Sequence, residues 1–209
     1  MVACAAVPFF VEPGRRPSVS GGMTKIEPLA TLEQADRELA LGASEVREML
    51  PVRLLGKLSD IADQPQLATL CTFVTVVGAL RRDPKLFRTG LHMLAGFTVA
   101  TGCKMTIKRA VDRTRPAFAA EVGYARGRAE HDEGPWNSFP SGHTAGAVAV
   151  AQAVARHYPE LSRPARGVAA AVAVIQVPRG KHYLTDVLAG ALLGWAVEQA
   201  IARVSRAFA

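Results

Sequence analysis

The polar and apolar positions along this chain fall into an unequal pattern. Residues 31–58 carry charges throughout, and Thr31 with Gln34 three residues later forms a capping-box pattern. The spacing predicts an amphipathic or interfacial helix pair broken near Pro51. Five runs without Asp, Glu, Lys or Arg follow: Gln64–Leu80, Thr89–Cys103, Pro140–Ala155, Gly167–Pro178 and Val187–Val197, the last extending past Glu198 to Ala202. Strict alternation is absent and the runs are rich in Ala, so helix is expected and sheet is not. A spanning helix needs about 20 mostly apolar residues, and these runs sit at or below that length. Five apolar helices in so short a chain leave little polar surface to cover a soluble bundle. The expected fold is therefore all-α: an antiparallel, multi-pass membrane bundle with about five spanning helices plus the N-terminal amphipathic helical region. A soluble bundle of buried helices is the alternative. Gly142–Gly146 and Gly190–Gly194 suit close helix approach, in lipid or in ordinary tight packing.

Composition narrows this picture. The 209 residues allow one domain with a real core, and 49% are hydrophobic with only 6% aromatic. The mean hydropathy of +0.15 is high for a soluble globule and modest for a membrane protein. A net charge of +7 suits anionic partners: phosphates, acidic lipid surfaces or nucleic acid. The basic residues lie between apolar segments rather than in one stripe, which disfavours nucleic acid. Cys4, Cys71 and Cys103 lack any metal-ligand spacing and read as small apolar residues. Residues 1–30 are expected to be a disordered extension ahead of a domain over 31–209, with Met23 as an alternative start. The opening MVACAAVPFFVE lacks the basic flank and length of a secretion signal.

Three polar clusters sit at the ends of apolar runs: KRAVDRTRP from Lys108, FPSGHTAG from Phe139 and GKHYLTDVLAG from Gly180. If the second to fifth runs alternate in direction, all of these clusters meet at one face of the bundle. Cleavage of a phosphate ester needs cations for the equatorial oxygens, an in-line nucleophile and a proton for the leaving oxygen. Lys108 and Arg115, seven residues apart, would share one face of a helix as a phosphate cradle. Ser141 and Gly142 precede a helix beginning near His143, where backbone N–H groups bind anions and Gly permits close approach. His182 and Asp186 at i and i+4 would stack on one helix face. There the carboxylate can hold one ring nitrogen and free the other. Each cluster alone has an ordinary structural reading as an anchor or a cap; together they point to phosphate chemistry. The mixed-charge connection Ala117–Phe139, with Glu121, Arg126, Arg128, Glu130, His131, Asp132 and Glu133, reads as a solvated loop or as a head-group reader.

Lys-x6-Arg-Pro at Lys108–Pro116, Pro-Ser-Gly-His at Pro140–His143 and His-x3-Asp at His182–Asp186 resemble, in order, the three signature motifs of the PAP2 (type-2 phosphatidic acid phosphatase) superfamily. The resemblance runs from about Gln64 to Ala202. It implies a metal-independent, cofactor-free phosphatase acting on a lipid phosphate or diphosphate of phosphatidic acid, phosphatidylglycerophosphate or polyprenyl type. His182 is implied to attack phosphorus and form a phosphohistidine, with Asp186 orienting it and His143 protonating the leaving group. Lys108, Arg115, Ser141 and Gly142 are implied to bind phosphate. The family's third motif usually opens Ser-Arg, and here those positions are Ile175 and Gln176, so an expected arginine is missing. Arg179, three residues before His182, is a candidate substitute. Family members usually carry the site on the outer face of the cell membrane; basic residues are equally numerous on both sides of this bundle. A soluble acid phosphatase, a vanadium haloperoxidase relative and a catalytically weak lipid-phosphate binder are the alternatives.

Overall fold

The computed structural model describes residues 27–131 and 134–207. The expected N-terminal extension lies almost wholly outside them, as do Asp132 and Glu133; Glu27 already begins a helix. In chain order the helices are α1 (Glu27–Ser44), α2 (Leu50–Ser59), α3 (Gln64–Leu80), α4 (Pro84–Lys108), α5 (Pro116–Val122), α6 (Gly142–His157), α7 (Ser162–Ile175) and α8 (Leu184–Ala207). The five apolar runs are α3, α4, α6, α7 and α8. Pro51 lies in the first turn of α2, where a missing N–H costs nothing. The charged segment is thus a helix pair whose break falls just before that proline.

Sharp connections make the runs antiparallel. Asp83 caps α4 by accepting from the N–H groups of Lys85 and Leu86 at 2.9 and 3.0 Å, and Pro84 occupies its first turn. The core joins Leu67 and Cys71 of α3, Met93 and Phe97 of α4, and Val150 and Ala153 of α6. A second cluster joins Ala100, Ala149 and Val197 across α4, α6 and α8. Alanine and glycine let α6 sit at the centre, packed against α4, α7 and α8. A Cβ at Gly190 would lie 2.5 Å from the Ser141 carbonyl oxygen, so that glycine is required by the approach of α8 to the start of α6.

The outer faces stay apolar. Phe73, Val76 and Leu80 of α3, Val168 and Val174 of α7, and Leu188, Leu192 and Trp195 of α8 are all exposed. Among the described residues α8 is the helix long and apolar enough to cross a membrane, and only 33% of its apolar window is buried. Apolar side chains turned outward over several helices match a lipid environment rather than water.

Two expectations need correction. The structure contains a two-stranded antiparallel ribbon, β1 (Val111–Arg113) with β2 (Arg126–Arg128), pairing Asp112 with Gly127. Lys108 and Arg115 therefore do not share a helix. α4 ends at Lys108, and Arg115 is extended with φ −70° and ψ 149°. Pro116 is the cause, because its ring disfavours helical geometry in the residue before it.

Candidate active site

All three clusters meet at one end of the bundle: the C-terminal ends of α4 and α7 and the N-terminal ends of α3, α6 and α8. His182 lies in the connection before α8 rather than on the helix, so the expected shared helix face with Asp186 is also corrected. The ring is buried. Its Nδ1 is 2.7 Å from the Ser138 carbonyl oxygen and 3.7 Å from Asp186 Oδ2. A carbonyl only accepts, so Nδ1 carries the proton and Nε2 of the neutral ring holds the free lone pair. The residue that fixes the tautomer is thus Ser138, with Asp186 beyond hydrogen-bond range of the ring. Burial, the largest influence, lowers the His182 pKa; Asp186 pulls the other way, while Lys108 and Arg115 push it down further. The ring is therefore neutral at pH 7, the form a nucleophile requires.

Asp186 is wholly buried and fully engaged. It accepts from Arg113 Nη1 at 2.6 Å, from the Tyr183 N–H at 2.9 Å and from the Ser138 hydroxyl. Arg113 also binds Asp36 of α1 at 2.8 Å and the Thr185 hydroxyl at 2.7 Å, and lies over the Tyr183 ring. A buried arginine between two carboxylates joins the N-terminal helix to the base of α8. Glu33 of the same helix accepts from the Tyr124 hydroxyl.

His143 occupies the first turn of α6. Its Nε2 lies 2.7 Å from Asp63 Oδ1 and 4.0 Å from Asp60 Oδ1. Both aspartates come from the junction of α2 and α3. Ser141 is buried at the N-cap, and its hydroxyl pairs with Thr144 Oγ1 at 2.9 Å. The Ser141 N–H donates to the Asp186 carbonyl at 3.0 Å, which ties the starts of α6 and α8 together. A Cβ at Gly142 would lie 2.8 Å from Lys104 Cδ and 3.2 Å from Lys104 Nζ. Lys104 thus lies across the opening of α6, one turn before Lys108 on α4. Lys108 donates to the Asn137 carbonyl. The charges of Lys108 and Arg115 reach His182, and Lys104 lies at the N-terminus of α6, an arrangement suited to an anion.

Gln176 is fully buried, and its amide donates to the Val172 carbonyl at 2.9 Å and to Ser59 Oγ at 3.3 Å. Arg179 also donates to Ser59 Oγ, at 2.7 Å, and pairs with Asp60 at 2.8 Å. Ser59 of α2 therefore links Gln176 to the candidate substitute cation, whose charge is balanced by Asp60. Burial raises the Asp60 pKa, but Arg179 and Lys181 outweigh it and hold the carboxyl below its ordinary value.

Beside the ribbon, Asp112 accepts from the N–H groups of Glu130 and His131 at 2.9 and 3.1 Å and pairs with the His131 ring at 2.7 Å. That ring stacks on Trp136 at 4.3 Å, and Phe118 meets Trp136 edge-on. The described part of this connection thus carries a paired histidine and two aromatic contacts, with most of its charged side chains exposed.

The expected residues His143, His182, Asp186, Lys108, Arg115, Ser141 and Gly142 are all at this end of the bundle. Sequence reasoning did not assign Lys104, Arg113, Ser138, Asp36, Asp60 or Asp63. Lys104 was visible as an i, i+4 partner of Lys108. The three aspartates carried no local signal, because they lie in charged N-terminal segments.

The chain is 31% identical over 174 residues to phosphatidylglycerophosphatase B of Bacillus subtilis (strain 168), covering 78% of this chain and 79% of that protein. Its fold is similar to the crystal structure of a transmembrane PAP2-type phosphatidylglycerolphosphate phosphatase from Bacillus subtilis. The TM-score is 0.66 at 22% identity, over 86% of this chain and 88% of the other. Residues 89–208, which hold all three polar clusters, match the PAP2 superfamily, and the chain belongs to that family.

Proposed function

We propose that this PAP2-family phosphatase hydrolyses the phosphomonoester of a glycerophospholipid such as phosphatidylglycerophosphate, with phosphatidic acid and polyprenyl phosphates as further candidates. In this reading α3, α4, α6, α7 and α8 cross the cell membrane, and the site faces the extracytoplasmic side. α7 has 14 residues, about 21 Å of helix, so its ends rely on flanking arginines reaching the interface. The observation that carries the proposal is the His182–Ser138 bond, because it leaves Nε2 unprotonated beside the cation cradle.

The chemistry then follows in two steps. The His182 Nε2 lone pair attacks phosphorus, the P–O ester bond breaks, and His143 delivers a proton to the leaving oxygen. Phosphohistidine formation leaves a positive ring, which the Asp186 carboxylate stabilises across 3.7 Å. Water then attacks phosphorus, His143 takes its proton, and the P–N bond breaks to release phosphate and neutral His182. Lys104, Lys108, Arg115 and the α6 N–H groups hold the equatorial oxygens throughout. The donor set supplies these charges from side chains, so the steps are written without a metal.

The test is a panel of lipid phosphates in detergent with EDTA present. Hydrolysis that persists in EDTA and vanishes in His182→Ala is expected; hydrolysis abolished by EDTA would contradict the proposal. A reporter fused after Ala209, read on both sides of the membrane, tests the orientation.

A further inference from the structure

A cleft of about 290 Å³ opens between α2 and the connection from α7 to α8. Five cations line it, Arg47, Arg53, Lys57, Arg179 and Lys181, against the single acid Glu48. Glu48 lies 3.3 Å from Arg47, and Asp60 takes up Arg179 at 2.8 Å and Lys181 at 3.7 Å. Arg53 and Lys57 are exposed and have no acidic partner among the described residues. They are one turn apart on α2, so both present their charges along one side of the helix.

Two further observations say what this cleft faces. Leu50, Leu54, Leu55, Leu58 and Ile61 are all more than half exposed, while Gly56 and Ser59 of α2 are buried against Arg179 and Gln176. α2 is thus pinned to the catalytic end of the bundle with a leucine face outward and basic side chains beside it, the pattern of a helix lying at a lipid interface. The cleft also adjoins the catalytic site: Asp60 Oδ1 is 2.8 Å from Arg179 and 4.0 Å from His143. One carboxylate separates the two.

We infer that this cleft binds a phosphodiester of a glycerophospholipid head group, next to the phosphomonoester held at His143 and His182. The inference rests on the lipid-phosphatase reading and adds a determinant of which lipid is preferred. A phosphodiester carries one negative charge on two non-bridging oxygens. An arginine fork matches that pair, and an ammonium adds charge without fixed geometry. The diester comes either from the substrate itself, one glycerol unit from its terminal phosphate, or from a neighbouring anionic lipid.

The test compares wild type with Arg53→Gln/Lys57→Gln, both exposed positions outside the catalytic cradle. Each is assayed on phosphatidylglycerophosphate and on phosphatidic acid in phosphatidylcholine vesicles, with and without added phosphatidylglycerol. If the cleft holds the substrate's own diester, the double variant raises KM for phosphatidylglycerophosphate about five- to tenfold, keeps kcat, and leaves phosphatidic acid in phosphatidylcholine unchanged. If it holds a neighbouring lipid, phosphatidylglycerol stimulates wild type on phosphatidic acid and fails to stimulate the variant. Equal changes on both substrates in every vesicle, or no change on any, would overturn the inference. A wild type inactive on every lipid phosphate is a separate result, which overturns the phosphatase reading and this one with it.

Discussion

The imidazole Nδ1 of His182 donates to the backbone carbonyl of Ser138 at 2.7 Å. A backbone acceptor cannot be titrated or rotated away, so the attacking nitrogen is defined over the whole working pH range. Burial leads the influences that bring the His182 pKa below its ordinary 6.5. The ring attacks only when neutral, and the neutral form prevails above the folded-state pKa. The His182 limb of a kcat/KM profile therefore falls only as pH drops below 6.5. A profile whose acid limb is centred above 6.5, measured with a slowly cleaved alkyl phosphate, would refute this assignment.

Ser138 has two separable roles. Ser138→Ala keeps the carbonyl that orients His182 and removes the hydroxyl that donates to Asp186. Activity is expected to fall no more than about tenfold, with a stability loss of about 1–2 kcal/mol. Asp186→Asn removes the charge facing the phosphorylated ring and is expected to lower kcat about a hundredfold. Paired kcat and thermal-unfolding measurements check the order of the two variants.

Asp63 Oδ1 lies 2.7 Å from His143 Nε2. If His143 supplies the leaving-group proton, Asp63→Asn slows alkyl phosphates more than p-nitrophenyl phosphate, whose leaving group departs without help. About tenfold against about twofold is expected. Equal losses on both substrates would mark Asp63 as a structural residue only.

Arg179 is shared with Asp60 and Ser59, whereas Lys108 has a neutral carbonyl as its partner. Lys108→Ala is therefore expected to lower kcat/KM by about 10²–10³, and Arg179→Ala by about tenfold. Equal losses would instead give Arg179 the full role of the arginine absent at Gln176. Steady-state kinetics on one soluble phosphomonoester decide between the two.

The helices were legible because Ala- and Val-rich runs free of charge leave few other structures open. α3 matches its run from Gln64 to Leu80 residue for residue. The convergence of the motifs followed from the alternation of those runs. The ribbon at Val111–Arg113 was missed because an i, i+7 pair was read as helix while Pro116 stood beside Arg115. The i, i+4 pair is close but not bonded, with the His182 ring 3.7 Å from Asp186 Oδ2. An i, i+4 spacing suggests contact, but Arg113, Tyr183 and the Ser138 hydroxyl saturate the carboxylate first. Asp36, Asp60 and Asp63 enter the site through tertiary packing of α1 and α2, which no local spacing records.

The account rests on a covalent bond at His182 Nε2, and trapping it is the most direct test. Labelled p-nitrophenyl phosphate, whose leaving group needs no proton, is mixed with His143→Ala, in which water attack is slowed, and quenched in alkali before peptide mapping by mass spectrometry. The account predicts phosphate on the peptide containing His182, and none in a variant that also carries His182→Ala. Turnover without any label at His182, or label on another residue, would contradict it.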